Sequence, residues 1–102
     1  MIEVINLSMI EFRLDISSRR MVMESVEVEL RNKEFHLLHY FVQNAGTVLS
    51  RAQILEDVWD SSVFCNTNTI DVHVSSLRRK FKPHMKDDPI KTIHCIGYRF
   101  DL

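Results

Sequence analysis

The C-terminal third of the chain holds the stretch that decides the fold, TNTIDVHVSSLRRKFK at residues 67–82. At about 100° per residue, a helix over this stretch gathers four apolar side chains on one face. They are Ile70, Val74, Leu77 and Phe81. A proline cannot continue a helix, so Pro83 should follow its last turn. The pattern therefore predicts an amphipathic helix that begins near Thr67 or Asn68 and ends at about Lys82.

The opposite face of this helix is mainly polar and edged with cations. It carries Asn68, Thr69, Val72, Ser75, Ser76 and Arg79, with His73 and Lys80 on one flank and Arg78 on the other. Such a face is slim enough to enter a DNA major groove about 12 Å wide, where hydroxyl groups can reach base edges and cations can reach phosphates. The pattern alone leaves open a plainer interpretation, in which this is only the solvated side of an amphipathic helix.

The first thirty residues alternate apolar and polar side chains, which is the period of a half-buried β-strand. The alternation is strictest over residues 10–16, and similar runs cover residues 4–7, 20–23 and 26–30. Short polar breaks between the runs indicate turns. This part of the chain therefore predicts a four-stranded antiparallel sheet with one face in water.

A helical period replaces the alternation after residue 32, with an apolar stripe of Phe35, Leu38, Val42 and Ala45. Asn32 is the expected N-cap of this helix, and Gly46 should end it. A second, shorter helix should begin at Ser50, which can form a capping box with Gln53. Residues 91–102 fit a β-hairpin with Gly97 at its bend. The predicted fold class is α+β, with three helices between two β-rich ends.

Composition fits one folded domain over residues 1–102. The chain is 45% hydrophobic and 26% charged, which favours a single packed core. No apolar run approaches the about 20 residues that a membrane helix needs, and the N-terminus lacks a signal-peptide pattern. We therefore expect a soluble cytoplasmic protein, in which Cys65 and Cys95 are free thiols.

Charge is unevenly distributed along the chain. Residues 1–66 contain six basic and ten acidic side chains, whereas residues 67–102 contain seven basic and four acidic ones. Contact with nucleic acid would therefore involve the C-terminal third. The net charge of −1 is a weak electrostatic footprint, so an alternative stays open in which the domain binds another protein and reads no DNA.

Catalytic and cofactor motifs are missing from the sequence. There is no G-x-S-x-G elbow, phosphate-binding loop or H-E-x-x-H motif, so we expect no catalytic residue and no cofactor. A metal site formed by Cys65, His73, His94 and Cys95 is conceivable from residue type alone. It is disfavoured because neighbouring residues in a strand, such as His94 and Cys95, point to opposite faces.

The stretch 67–81 resembles the recognition-helix motif of OmpR/PhoB-type response regulators. Three further motifs are similar to that family in the same order: Glu34-Phe35 with Leu37-Leu38, Val48-Leu49-Ser50-Arg51 with Val58-Trp59, and Thr92-Ile93 with Gly97-Tyr98. The resemblance spans nearly the whole chain. It implies a winged helix-turn-helix with an N-terminal four-stranded sheet, three helices and a C-terminal hairpin wing. It also implies the output domain of a two-component system, which binds promoter DNA to control transcription, with the receiver domain absent from this chain.

The resemblance also implies roles for individual residues. Base readout is carried over to Thr69, Val72 and Ser76. Contacts with the DNA backbone are carried over to Trp59, Asn68, His73, Arg78, Arg79, Thr92 and Tyr98, with His94 in the wing. The implied partners are double-stranded promoter repeats, bound as a head-to-tail dimer, and RNA polymerase. The polymerase contact falls to Asp60, Ser61, Ser62, Val63 and Phe64.

Four positions depart from the family pattern. Arg31 stands where a threonine usually caps the first helix, and Ser76 stands where relatives often have an arginine that reads guanine. His94 replaces a wing arginine, so minor-groove binding should be weaker and pH-dependent. Cys95 replaces a wing glycine, which matters if the turn needs a positive φ there.

Overall fold

The computed structural model describes residues 2–7, 10–59 and 67–101. In these residues the chain forms, in order, β1 (Ile2–Leu7), β2 (Ile10–Asp15), β3 (Arg20–Met23), β4 (Val26–Glu29), α1 (Asn32–Gln43), β5 (Leu49–Ser50), α2 (Arg51–Val58), α3 (Asn68–Phe81), β6 (Ile90–Ile93) and β7 (Gly97–Phe100). None of the helices in this described part is long and apolar enough to span a membrane.

The N-terminal sheet is an antiparallel meander in the order β1-β2-β3-β4. Leu14 of β2 lies opposite Met21 of β3, which in turn lies opposite Val28 of β4. Because side chains alternate across a strand, one face collects the fully buried Phe12, Leu14, Met21 and Met23. This face covers one side of the helical core.

The three helices form the middle of the domain and contact both sheets. Ring contacts mark the two junctions: Phe12 of β2 meets Phe81 of α3 edge-on at 6.2 Å, and Phe41 of α1 stacks on Phe100 of β7 at 6.2 Å. Burying each such side chain contributes about 1.5–3 kcal/mol. The apolar stripe of α3 therefore packs into the core, and the other side of the helix faces outward.

The C-terminal sheet has the order β5-β7-β6 and contains one strand that the sequence did not predict, β5. Its two residues pair with β7, Leu49 opposite Tyr98 and Ser50 opposite Gly97. The prediction of Gly97 at the hairpin bend is wrong. The turn lies at residues 94–96, and Gly97 is the first residue of β7, where it pairs with Ser50. This position needs glycine because a Cβ there would lie only 2.0 Å from the Leu49 carbonyl oxygen.

The predicted N-cap of α1 is also wrong. The helix begins at Asn32 and its N-cap is Arg31. The Asn32 side-chain oxygen instead accepts a hydrogen bond from Arg19, and the Arg31 backbone N–H donates to Glu34 Oε1 at 2.8 Å. The N-cap of α2 is confirmed, since Ser50 Oγ accepts from the Gln53 backbone N–H at 3.1 Å.

Candidate nucleic-acid interface

Helix α3 divides into a buried and an exposed side as its sequence predicted. The predicted apolar stripe is confirmed, with Ile70, Val74, Leu77 and Phe81 all buried. Val72 lies on the other side, and 64% of its surface is exposed. Val72 therefore lies open to solvent at the centre of the polar face of α3.

The residues predicted for base readout lie along one line of α3. Thr69 and Ser76 are partly buried, Val72 lies between them, and Arg79 extends the line as an exposed cation. Spacings of three and four residues place these side chains as neighbours on one helix face. We name this line of Thr69, Val72, Ser76 and Arg79 the outer face of α3.

A buried carboxylate supports the outer face from behind. Glu34 of α1 is 1% exposed, and its Oε2 accepts a hydrogen bond from Ser76 Oγ. Lys80 Nζ lies 2.5 Å from Glu34 Oε1 and completes the link between α1 and α3. Burial tends to raise the pKa of Glu34, but the bonds from Lys80 and Ser76 outweigh it and hold the pKa below its usual value. Glu34 is therefore ionised at neutral pH.

Sequence reasoning did not place Glu34 in this site. The Glu34-Phe35 motif indicates only the first helix and its cap, and the sequence of α3 indicates Ser76 only as a side chain that faces DNA. An acidic residue at the third position of α1 is an ordinary capping signal, so nothing in the pattern indicates the bond to α3, which lies 42 residues further along the chain.

A second carboxylate fixes the hairpin of β6 and β7 to α3. Asp71 Oδ1 accepts from the Tyr98 hydroxyl at 2.5 Å and from Arg51 Nε at 3.0 Å. Burial tends to raise the pKa of Asp71, but these two bonds outweigh it and the pKa is lowered. Tyr98 is only 4% exposed and donates its single hydroxyl hydrogen to Asp71, so this geometry does not suit the phosphate contact expected of Tyr98.

Arg78 joins α3 to strand β6. Its Nη2 donates to the Ile90 carbonyl at 2.7 Å and to Thr92 Oγ1 at 2.8 Å, and its Nε lies 2.7 Å from Asp88 Oδ2. The guanidinium also lies over the Tyr98 ring, 5.6 Å from its centre. About a third of the side chain, 31%, stays exposed. Arg78 thus holds the hairpin in place and still presents part of its charge to solvent.

His73 has a defined hydrogen-bonding role. Its Nδ1 lies 2.7 Å from the Thr69 carbonyl oxygen, and because a carbonyl only accepts, Nδ1 must carry a hydrogen. In the neutral ring Nε2 is then an acceptor, so His73 can donate to a phosphate only when both nitrogens are protonated. Trp59, which is 6% exposed, contacts this ring edge-on at 5.1 Å. Both residues lie at the edge of α3.

Some of the remaining predicted residues are exposed, and the others lie outside the residues that the structure describes. Asn68, Thr92 and His94 are exposed, His94 in the hairpin turn. Cys95 is an exposed free thiol with a φ of +63°, so the turn does adopt the backbone that usually favours glycine. The polymerase-contact residues Asp60, Ser61, Ser62, Val63 and Phe64, and also Cys65, lie outside the described residues. Within residues 2–7, 10–59 and 67–101, no three histidine, cysteine or acidic side chains are arranged to hold a metal ion.

An exposed helix packed on two others, beside a hairpin fixed to its flank, defines a winged helix-turn-helix domain, and this predicted class is confirmed. The sequence model of the family described as "Transcriptional regulatory protein, C terminal" matches residues 25–100. The chain belongs to this family, and the resemblance to OmpR/PhoB-type effector domains is confirmed.

Individual relatives agree with this assignment. The chain is 37% identical over 87 residues to the phosphate regulon transcriptional regulatory protein PhoB of Escherichia coli (strain K12), across 85% of this chain and 38% of that protein. It is 40% identical over 103 residues to the uncharacterized transcriptional regulatory protein YclJ of Bacillus subtilis (strain 168), across 96% of this chain and 44% of that protein. The chain thus spans less than half the length of these relatives. The crystal structure of the DNA-binding domain of Bacillus subtilis CssR matches with a TM-score of 0.77 and 33% identity, over 87% of this chain and 98% of that one.

Proposed function

We propose that this domain binds promoter DNA in a sequence-specific manner, as the output domain of a two-component response regulator that controls transcription. The observation that carries the proposal is the outer face of α3, where Val72 is 64% exposed on a helix whose opposite stripe is fully packed. The named relatives support it, since two are transcriptional regulatory proteins and the one solved structure is a DNA-binding domain.

In this proposal α3 enters the major groove along its outer face. Thr69 and Ser76 hydrogen-bond to base edges, and Val72 packs on a thymine methyl group. Exposed polar and cationic groups beside this line contact phosphates and fix the register without reading sequence. The groups proposed for this role are Asn68, Arg79, Thr92 and the exposed part of Arg78.

Three further residues expected to contact the DNA backbone receive modified roles. Trp59 and Tyr98 are buried, so we assign them to the support of the interface, Trp59 against His73 and Tyr98 under Arg78. His73 contacts a phosphate only in its doubly protonated form. His94, exposed in the turn of the wing, would lie at the minor groove.

Properties of the intact regulator complete the proposal. Residues 1–102 act as one domain with a four-stranded N-terminal sheet, in a cytoplasmic regulator. Two copies bind promoter repeats head to tail, and residues 60–64 contact RNA polymerase. The domain contributes binding only, without catalysis or a cofactor.

Salt dependence of DNA binding tests this function. A duplex selected from a randomised pool is labelled, and its fluorescence anisotropy is followed with increasing protein at several salt concentrations. The logarithm of the binding constant should fall linearly with the logarithm of salt concentration, with a slope of about −0.9 per phosphate contacted. A failure to enrich any sequence, together with a flat salt response, would refute DNA readout and favour the protein-binding alternative.

Two variants separate positioning from readout. Arg78→Ala should weaken binding to every sequence alike, because it removes a phosphate contact and loosens the wing from α3. Thr69→Ala should instead change the selected consensus. The same consensus from Thr69→Ala and from the parent protein would show that the reading face is assigned incorrectly.

A further inference from the structure

Ser76 lies where the outer face of α3 meets α1, and its hydroxyl group already forms a hydrogen bond within the domain. Ser76 Oγ donates its hydrogen to Glu34 Oε2. A serine hydroxyl has one hydrogen and two lone pairs, so a committed hydrogen leaves only acceptor capacity for any other partner. Any further partner of Ser76 Oγ therefore meets lone pairs and no donor.

The direction of this bond is fixed by the other partners of Glu34. Oε1 receives two donors, Lys80 Nζ at 2.5 Å and the Arg31 backbone N–H at 2.8 Å, which leaves Oε2 for Ser76. A carboxylate that accepts from three donors in a buried position is stabilised in its ionised form. An ionised carboxylate can only accept, so Ser76 must be the donor.

We propose that Glu34 sets the base preference of Ser76, which accepts a hydrogen bond from the amino group of adenine or cytosine in the major groove. Adenine N6 and cytosine N4 are donors there, whereas guanine N7 and O6 and thymine O4 are acceptors. A hydroxyl group without a free hydrogen can accept from the amino group of adenine or cytosine, whereas its lone pairs would face the lone pairs of guanine or thymine. This inference rests on the proposed DNA-binding function and names the chemistry that one of its residues reads. Glu34 is a positioning residue, since it acts through Ser76.

The substitution Glu34→Gln should reverse the preference. Glutamine has one oxygen and one NH₂ group in place of the two carboxylate oxygens. Because Lys80 and the Arg31 backbone N–H both donate to the Oε1 position, the remaining oxygen should occupy it. The NH₂ group then takes the Oε2 position and donates to Ser76 Oγ. The serine hydrogen is released toward the groove, where it suits guanine or thymine.

The experiment compares four proteins: the parent, Glu34→Gln, Ser76→Ala and the double variant. Site selection from randomised duplexes finds the base pair that responds to Ser76→Ala, and anisotropy is then measured on duplexes with each base at that position. The parent should bind the adenine and cytosine duplexes about two- to tenfold more tightly than the guanine and thymine duplexes. Glu34→Gln should invert this ratio, and the two proteins that carry Ser76→Ala should be indifferent at this position. Thermal unfolding of each variant checks that it is folded at the assay temperature.

A second measurement changes the DNA and leaves Glu34 in place. If the parent selects adenine, that base is replaced by unsubstituted purine, which keeps N7 and lacks the 6-amino group; if it selects cytosine, the replacement is pyrimidin-2-one. The parent should lose its two- to tenfold advantage, while Ser76→Ala should bind both duplexes equally. Equal binding of both duplexes by the parent, or an unchanged base preference in folded Glu34→Gln, would overturn the inference while DNA binding itself stands. A parent protein that enriches no sequence would overturn the proposed function first.

Discussion

Gly97 lies where β7 crosses closest to β5, and one added methyl group there should strain the C-terminal sheet. An ideal Cβ on Gly97 would lie 2.0 Å from the Leu49 carbonyl oxygen and 3.0 Å from both the Leu49 carbonyl carbon and Ser50 Cα. An ordinary carbon-to-oxygen contact is about 3.3 Å, so the strands would have to separate by about 1.3 Å. All three obstructing atoms belong to the backbone and cannot rotate away.

The free-energy cost follows from this overlap. Overpacking of an interior usually costs about 1–3 kcal/mol, and an obstruction by paired backbone belongs at the upper end, about 3 kcal/mol. The total free energy of unfolding for a domain of this size is about 5–15 kcal/mol. With a shift of about 4–8 °C per kcal/mol, Gly97→Ala should lower the Tm by roughly 12–24 °C.

Thermal unfolding followed by far-UV circular dichroism measures this effect, with Gly46→Ala as the matched control. Gly46 has a φ of +84° and no heavy atom within 4 Å of an added Cβ, so its substitution costs only the strain of left-handed backbone, about 1 kcal/mol. Gly97→Ala should therefore melt well below Gly46→Ala. Equal melting temperatures for the two variants would refute the close approach of β7 to β5.

Charged and apolar residues of α3 give three further predictions. The folded-state pKa of Glu34 lies below its usual 4.5, so ionised Glu34 stabilises the fold above pH 4.5 and this contribution is lost as the pH falls through the folded-state pKa. Lys80→Met should accordingly lower the free energy of unfolding, measured in urea at pH 7, by about 2 kcal/mol, a figure that allows for the 25% exposure of the Lys80 side chain. The loss should be clearly smaller at pH 4, and an equal loss at both pH values would contradict the ion pair. Arg79→Ala should make the plot of log binding constant against log salt concentration shallower by about 0.9, while the control Arg20→Ala in β3 should leave this slope unchanged. The same change of slope in both variants would show that α3 does not face the DNA. Replacing thymine by uracil in the selected duplex should weaken DNA binding by the parent protein about three- to tenfold and leave binding by Val72→Ala unchanged. The same loss of affinity in both proteins would exclude the contact between Val72 and the thymine methyl group.

Helix α3 could be predicted from sequence because its evidence is local and repeated. Four apolar residues at helical spacing fix which side packs inward, and the structure buries all four of them. Strand β5 could not be predicted, since two residues carry no periodicity. It exists only because β7 lies beside it, and β7 can do so only because Gly97 has no side chain.

Glycine and asparagine were misleading for a common reason. A glycine in a hairpin segment predicts a bend, but Gly97 serves another use of glycine, the close approach of two backbones, while Cys95 in the turn adopts a positive φ. The residue type of Asn32 predicts an N-cap, but its side chain accepts a hydrogen bond from Arg19 instead. In each case a distant part of the chain decides between two uses that the residue type allows equally.

The candidate site shows the same limit in its hydrogen bonds, with a consequence for specificity. Residue type identified the polar groups of α3, yet Ser76, His73 and Arg78 each already have a partner within the domain. Such bonds hold side chains in place before a ligand arrives, which reduces the ordering cost of about 0.5–1.5 kcal/mol per side chain on binding. They also determine which hydrogens and lone pairs remain for the ligand. A substitution behind the face, such as one at Glu34, should therefore change which base is preferred although Glu34 is too buried to contact DNA.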